Sequence, residues 1–121
     1  MTTSISTRED ILSYLTNQRD FTGNVIAQTD ECMDLLERMH SDIARFTFLK
    51  KDKDGSLIER VAYGTLQNDV FSAYDQVPEG KSPGFTGAIR YFDTERQQWR
   101  SFNVGRLLRY DRDWDFEKEM S

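Results

Sequence analysis

The sequence predicts an α+β fold, two N-terminal α-helices followed by a small antiparallel β-barrel. Three observations lead there. Residues 43–66 read IARFTFLKKDKDGSLIERVAYGTL. Two runs rich in β-branched and aromatic residues flank a charged turn at Asp54-Gly55, where glycine supplies the positive φ of a tight reversal. Residues 88–102, AIRYFDTERQQWRSF, repeat that plan. Residues 24–40, by contrast, space their apolar side chains by alternating fours and threes, which is a helical period.

A chain of 121 residues fits one domain, and 37% hydrophobic with 31% charged residues is the balance of a globular protein. No apolar run approaches the roughly 20 residues of a membrane helix. MTTSISTRED has no basic stretch leading into an apolar one, so no secretory signal is expected. Cys32, the single cysteine, leaves no internal disulfide, and the expected setting is the cytoplasm with no membrane partner. The net charge of −5 is unevenly placed. Residues 1–42 carry three basic side chains against eight acidic, residues 43–110 eleven against eight, and residues 111–121 two against five. An acidic whole argues against strong non-specific DNA binding, while a basic face on the central segment remains open.

In chain order, residues 6–17 read as a short helix. Ser6 and Glu9 have capping-box spacing, and Ile11, Tyr14 and Leu15 form a narrow apolar stripe. Gly23 breaks the chain, and Asn24 is a candidate N-cap for a second helix to about His40. The alternative is a later start at Thr29 or Asp30. On that helix Val25, Thr29, Cys32, Leu36 and Met39 make the seam, widened by Ile26, Met33 and Leu35.

In the first hairpin Phe46 and Phe48 share one face, and Arg45 and Thr47 the other. On the return strand Val61 and Tyr63 face away from Ala62 and Gly64, and a glycine inside a strand marks a bend or a close approach. Residues 67–86, with Pro78 and Pro83, read as a long loop with a helical turn near 70–74. Ile89 and Tyr91 then share a face opposite Arg90 and Phe92. Residues 94–98 form the turn and 99–104 the next strand. A 3₁₀ turn over 105–108 precedes a last strand at Arg109 and Tyr110. The organisation is thus a helical extension over 1–42, a barrel over 43–110 and an acidic tail over 111–121. Closing the sheet removes unpaired edges. A barrel this small has a marginal core, so the helices are expected to dock on it and extend it. The alternative is an independent, partner-binding helical arm.

FTFLKKDKDG, then YGTL, then YFDTERQQWRSFNVGRLL together resemble the small Sm-like/SH3-like β-barrel family related to WYL domains, which recurs in phages and gut Bacteroidota. That family shows a basic strand and turn ending KKDG, a TLN-like tripeptide, and a D-x-E-x-x-x-WRSF hairpin. Here these are residues 50–55, Thr65-Leu66-Gln67, and Asp93 with Trp99-Arg100-Ser101-Phe102. The likeness covers about residues 43–110. This chain departs from it by an extra Asp-Lys in the turn, by Gln67 in place of Asn, and by its helical N-terminus. The resemblance implies the SH3-like/Sm-like fold, and by analogy with nucleotide- and RNA-binding relatives a binding role.

For chemistry, the turn Lys50-Lys51-Asp52-Lys53-Asp54-Gly55 fails as a calcium loop, with Lys50 and Val61 at ligand positions. One Cys and one His, His40, leave no zinc site and no nucleophile–base pair, so no metal, no cofactor and no enzyme activity is expected. His40 complements a helix C-terminus, and Asp111, Asp113 and Asp115 read as a charged tail. The ligand-binding candidates are Arg45, Arg60, Tyr63, Arg90, Tyr91, Arg100 and Arg106, with Trp99 and Arg109 nearby in sequence. Arginine forks grip phosphate and aromatic faces stack on bases. The ordinary alternative is that these aromatics are core and these arginines strand-face charges. The leading expectation is a non-enzymatic, phage-encoded module recognising a nucleotide or nucleic acid on the barrel face. The second is a protein-interaction module that binds or inhibits a host protein or pairs with itself.

Overall fold

The computed structural model describes residues 7–67 and 85–120. Ser6 and the helical turn expected near 70–74 lie outside the described residues. Helix α1 spans Thr7–Thr16 and α2 spans Val25–Ser41. Asn24 is the N-cap of α2, its side-chain oxygen accepting the Ala27 N–H at 2.8 Å, which settles the start in favour of the earlier position. Strands β1 (Ala44–Lys51), β2 (Leu57–Thr65), β3 (Ala88–Asp93), β4 (Gln98–Asn103) and β5 (Leu107–Tyr110) form one antiparallel sheet in the order β4-β3-β2-β1-β5. A 3₁₀ turn, η1 (Val104–Arg106), joins β4 to β5, and a short helix α3 (Phe116–Met120) ends the described chain. The 3₁₀ turn begins one residue earlier than expected because Asn103 Oδ1 accepts the Gly105 N–H at 2.8 Å and starts it.

The sheet is strongly curled. Phe46 on β1 and Phe102 on β4 lie three strands apart in the sheet order, about 14 Å on a flat sheet. Their ring centroids are 5.1 Å apart. Tyr91 on β3 meets Phe46 edge-on at 5.1 Å. Gly64 on β2 makes this curl possible, although β4 and β5 at the two ends of the sheet are not paired with each other: a Cβ there would stand 2.5 Å from Tyr91 Cδ2 and 3.3 Å from Phe46 Cε1. The glycine is therefore the close approach its place in the strand predicted. The first turn is closed by Gly55 at φ 91° and by Asp54 Oδ1, which accepts the Ser56 N–H at 3.0 Å.

The N-terminal helices belong to the core. Ile11, Leu15, Cys32, Leu35 and Met39 are buried in the same cluster as Phe46, Tyr91 and Phe102. The seam of α2 is rotated from the expected one. Leu35, read as a flank, is 0% exposed, whereas Leu36 and Val25 are only half-buried and Ile26 is 60% exposed. The rotation follows from where α2 is tied. Gln28 Nε2 donates to the carbonyls of Val104 and Leu107, each at 2.8 Å, which turns the Thr29–Cys32–Leu35–Met39 line onto β5 and η1. Residues 111–116 lie against the domain. Arg38 Nη2 donates to the Trp114 carbonyl at 3.0 Å, and Arg112 bridges Glu31 and Asp34 at 2.8 and 2.7 Å. None of the described helices is long and apolar enough to cross a membrane.

Candidate functional site

The seven candidate residues fall in four places. Arg60, Tyr91 and Arg100 come together. Tyr91 and Arg100 are cross-strand partners on β3 and β4, so their side chains share a face. Arg60 is on the same face of β2 as Ala62 and Gly64, two and four residues on, both buried. The β2–β3 ladder ends early, at Gly64↔Asp93, and Thr94 then donates both its N–H and its hydroxyl to the Tyr63 carbonyl at 2.9 and 3.0 Å. From there β2 continues past the 94–97 turn toward Arg60 without further pairing to β3.

Tyr91 reports the convergence. Burial pushes its phenol up to about 12 and the Asp93 carboxylate adds to the rise, while Arg100, Arg60 and Arg96 all act in the opposite direction. Arg100, Arg60 and Arg96 are thus all near enough to act electrostatically on the same phenol. Arg96 is committed, standing 3.8 Å from Asp93 Oδ2. Arg60 and Arg100 form no ion pair with any described residue and are half-buried. Arg96 was missed in the sequence because it lies in a turn. The signal that finds it is Asp93 three residues earlier, whose Oδ1 accepts the N–H groups of Glu95 and Arg96 at 2.9 and 3.0 Å and so folds the turn back.

The other candidates lie elsewhere. Arg90 is on the outer face of β3, its guanidinium 4.7 Å over the Trp99 ring. Trp99 in turn meets Phe92 edge-on at 5.8 Å. Arg45 and Tyr63 pair across β1 and β2 on the outer face. Arg45 Nε stands 3.1 Å from Asp111 Oδ2 as an ion pair, without the N–H aimed along a hydrogen bond. Arg106 on η1 lines a separate cleft of about 300 Å³ with Tyr14, Asp20, Phe21 and Asn103. Arg109 stands 3.8 Å from Glu59.

Beside Tyr63 is a further cleft of about 460 Å³. Its walls are Tyr63, Trp114, Phe116 and Ile43, and Glu95 and Gln97 of the turn stand at its edge. Trp114 lies 5.3 Å from Tyr63 at 59° and 6.2 Å from Phe116 at 64°. In the sequence Trp114 and Phe116 belong to the acidic tail over 111–121, and the cleft forms because residues 111–116 return to Tyr63 of β2 as a strap.

Motif residues at the end of β2 have a structural task. Leu66 N donates to the Met39 carbonyl at 2.8 Å, and Thr65 Oγ1 lies 3.2 and 3.0 Å from the Met39 and Asp42 carbonyls. Gln67 Nε2 donates to the Ser41 carbonyl at 2.7 Å. Thr65-Leu66-Gln67 therefore satisfies the last carbonyls of α2, which no helical N–H reaches. Among the described residues no group of three or more His, Cys, Asp or Glu is placed to hold a metal ion.

A curled five-stranded antiparallel sheet, with a 3₁₀ turn before its last strand and a helix packed against it, defines an Sm-like, SH3-type β-barrel. Residues 32–108 match the family described as WYL_2, Sm-like SH3 beta-barrel fold, and the chain belongs to that family. The matched segment begins inside α2, at the cysteine that packs on η1, so half of that helix lies within the family's domain. No curated protein and no solved structure matches the chain.

Proposed function

We propose that the chain is a non-enzymatic binding module that takes the phosphate of a nucleotide or nucleic acid at the Arg60–Arg96–Arg100 cluster. Supporting it, Arg100 faces Tyr91 across β3 and β4, Arg60 and Arg96 act electrostatically on the same phenol, and neither Arg60 nor Arg100 has a carboxylate partner among the described residues. Guanidinium forks match phosphate oxygens in geometry and charge. The local excess of positive charge is set in a chain of net charge −5, which suits a defined phosphate contact better than non-specific coating of a duplex.

The test is titration of the full chain at low salt with fluorescent single-stranded RNA, single-stranded DNA and nucleoside mono- and diphosphates. One of these should bind in a salt-dependent manner. Arg60→Ala with Arg100→Ala should weaken that binding by more than tenfold while Arg106→Ala leaves it unchanged. Flat titrations throughout, or equal losses in all arginine variants, would defeat the reading. The second reading, a protein partner, is favoured by one observation, the aromatic cleft beside Tyr63.

A further inference from the structure

The geometry points to the Tyr63–Trp114–Phe116 cleft as a binding site for an alkylated ammonium group, such as a quaternary amine or a methylated lysine side chain. This goes beyond the phosphate reading and does not depend on it. Three features carry it. First, the rings are not coplanar. They meet at 59° and 64° and all three line the cleft, so its aromatic wall is angled and not one flat stacking surface. Aromatic faces carry negative quadrupole potential and attract cations, most strongly at tryptophan. Second, the cleft has the charge for a cation. Glu95 lines it, and no lysine or arginine does. The nearby cations are engaged: Arg96 lies 3.8 Å from Asp93, Arg45 stands 3.1 Å from Asp111, and Arg112 is held by Glu31 and Asp34.

Third, the backbone that carries the walls is tied down before any ligand arrives. Tyr63 is held in the β1–β2 ladder. The Trp114 backbone is fixed by the Arg38 bond to its carbonyl and by its backbone N–H, which donates to the Asp111 carbonyl at 3.2 Å. Glu95 is placed by the Asp93 side chain, which accepts its N–H at 2.9 Å. A pre-formed cage loses little entropy on binding. A volume of about 460 Å³ admits a trimethylammonium head and leaves room for its stem. A purely apolar group would also meet the rings but would leave Glu95 unused and would gain nothing from the ring quadrupoles.

The probes are choline and free Nε-trimethyllysine, with 3,3-dimethylbutan-1-ol as the uncharged isostere of choline. Binding is read on the full chain by tryptophan fluorescence and by the two indole N–H signals in NMR. The Trp114 signal should move saturably with both cations while the Trp99 signal stays in place. The neutral isostere should bind at least about tenfold more weakly. Glu95→Gln, an exposed change on a turn, should weaken choline binding several-fold with an unchanged melting temperature, and Trp114→Leu should abolish it. Arg60→Ala with Arg100→Ala should bind choline as the parent chain does, which separates this site from the phosphate cluster. An isostere that binds as tightly as choline, a Glu95→Gln variant that binds as tightly as the parent, or no saturable response up to roughly 10 mM would each overturn the proposal.

Discussion

Leu35→Ala is the perturbation that weighs the N-terminal helices against the barrel. Leu35 is fully buried on α2, in one cluster with Phe46 and Phe102 of the sheet. Truncating a buried leucine loses its transfer free energy and leaves a cavity, together about 2–5 kcal/mol. Ile26 lies nine residues earlier on the same helix and is 60% exposed, so Ile26→Ala should stay within about 0.5 kcal/mol. At an unfolding entropy of about 2 cal/mol/K per residue, 1 kcal/mol moves the midpoint of a chain this long by about 4 °C. The pair should therefore separate by about 6–20 °C in thermal melts followed by circular dichroism, with urea unfolding supplying the free energies and an unchanged slope. Leu36→Ala, at a half-buried position, should fall between them. Deleting residues 1–42 should cost the sheet its cooperative transition. If Leu35→Ala melts with Ile26→Ala, or the truncated chain melts as sharply as the whole, the helices are an appended arm and the packing argument fails.

Gly64→Ala should destabilise by about 1–3 kcal/mol in urea unfolding, because the new methyl would meet the Tyr91 ring and that ring is backed by Phe46 and Phe102; a neutral result would mean the sheet is less tightly curled than Phe46 and Phe102 require. Alkaline stability is a further expectation. Burial pushes the Cys32 thiol from 9.0 up to about 12, with the neighbouring Glu31 charge adding to it, and Tyr91 is raised from 10.0 to about 12. The folded state then keeps protons that the unfolded state releases. Stability is fully present below pH 9 and is lost between about 9 and 12, by up to roughly 1.4 kcal/mol per pH unit for each group. Cys32→Ala combined with Tyr91→Phe should flatten that fall in denaturant titrations run at stepped pH, and a curve as steep as the parent's would refute the assignment. The native Cys32 thiol should also react with a disulfide reagent only as fast as the chain opens.

Features with local causes could be read from residue order. Asn24 capped α2 because a short polar side chain there reaches the Ala27 N–H. Gly55 turned the first hairpin because a positive φ costs glycine nothing. Alternation alone put Phe46 with Phe48, and Ile89 with Tyr91, on the buried face. The β-barrel motifs in residues 43–110 were legible for the same reason, and they led to the family. Outcomes that depend on contacts distant in the chain came from packing. The seam of α2 turned toward Leu35 because Gln28 bonds to carbonyls 76 and 79 residues away. The arginines read as one constellation were divided by the pleat, since neighbouring residues of a strand face opposite ways and the sheet's curl sets which of them meet. Arg60 and Arg100 joined Arg96 around Tyr91, Arg90 went to Trp99, and Arg45 to Asp111. Trp114 and Phe116 carried no periodic pattern, and their meeting with Tyr63 depended on a strap held by Arg38 and by Arg112, a contact that sequence spacing does not encode.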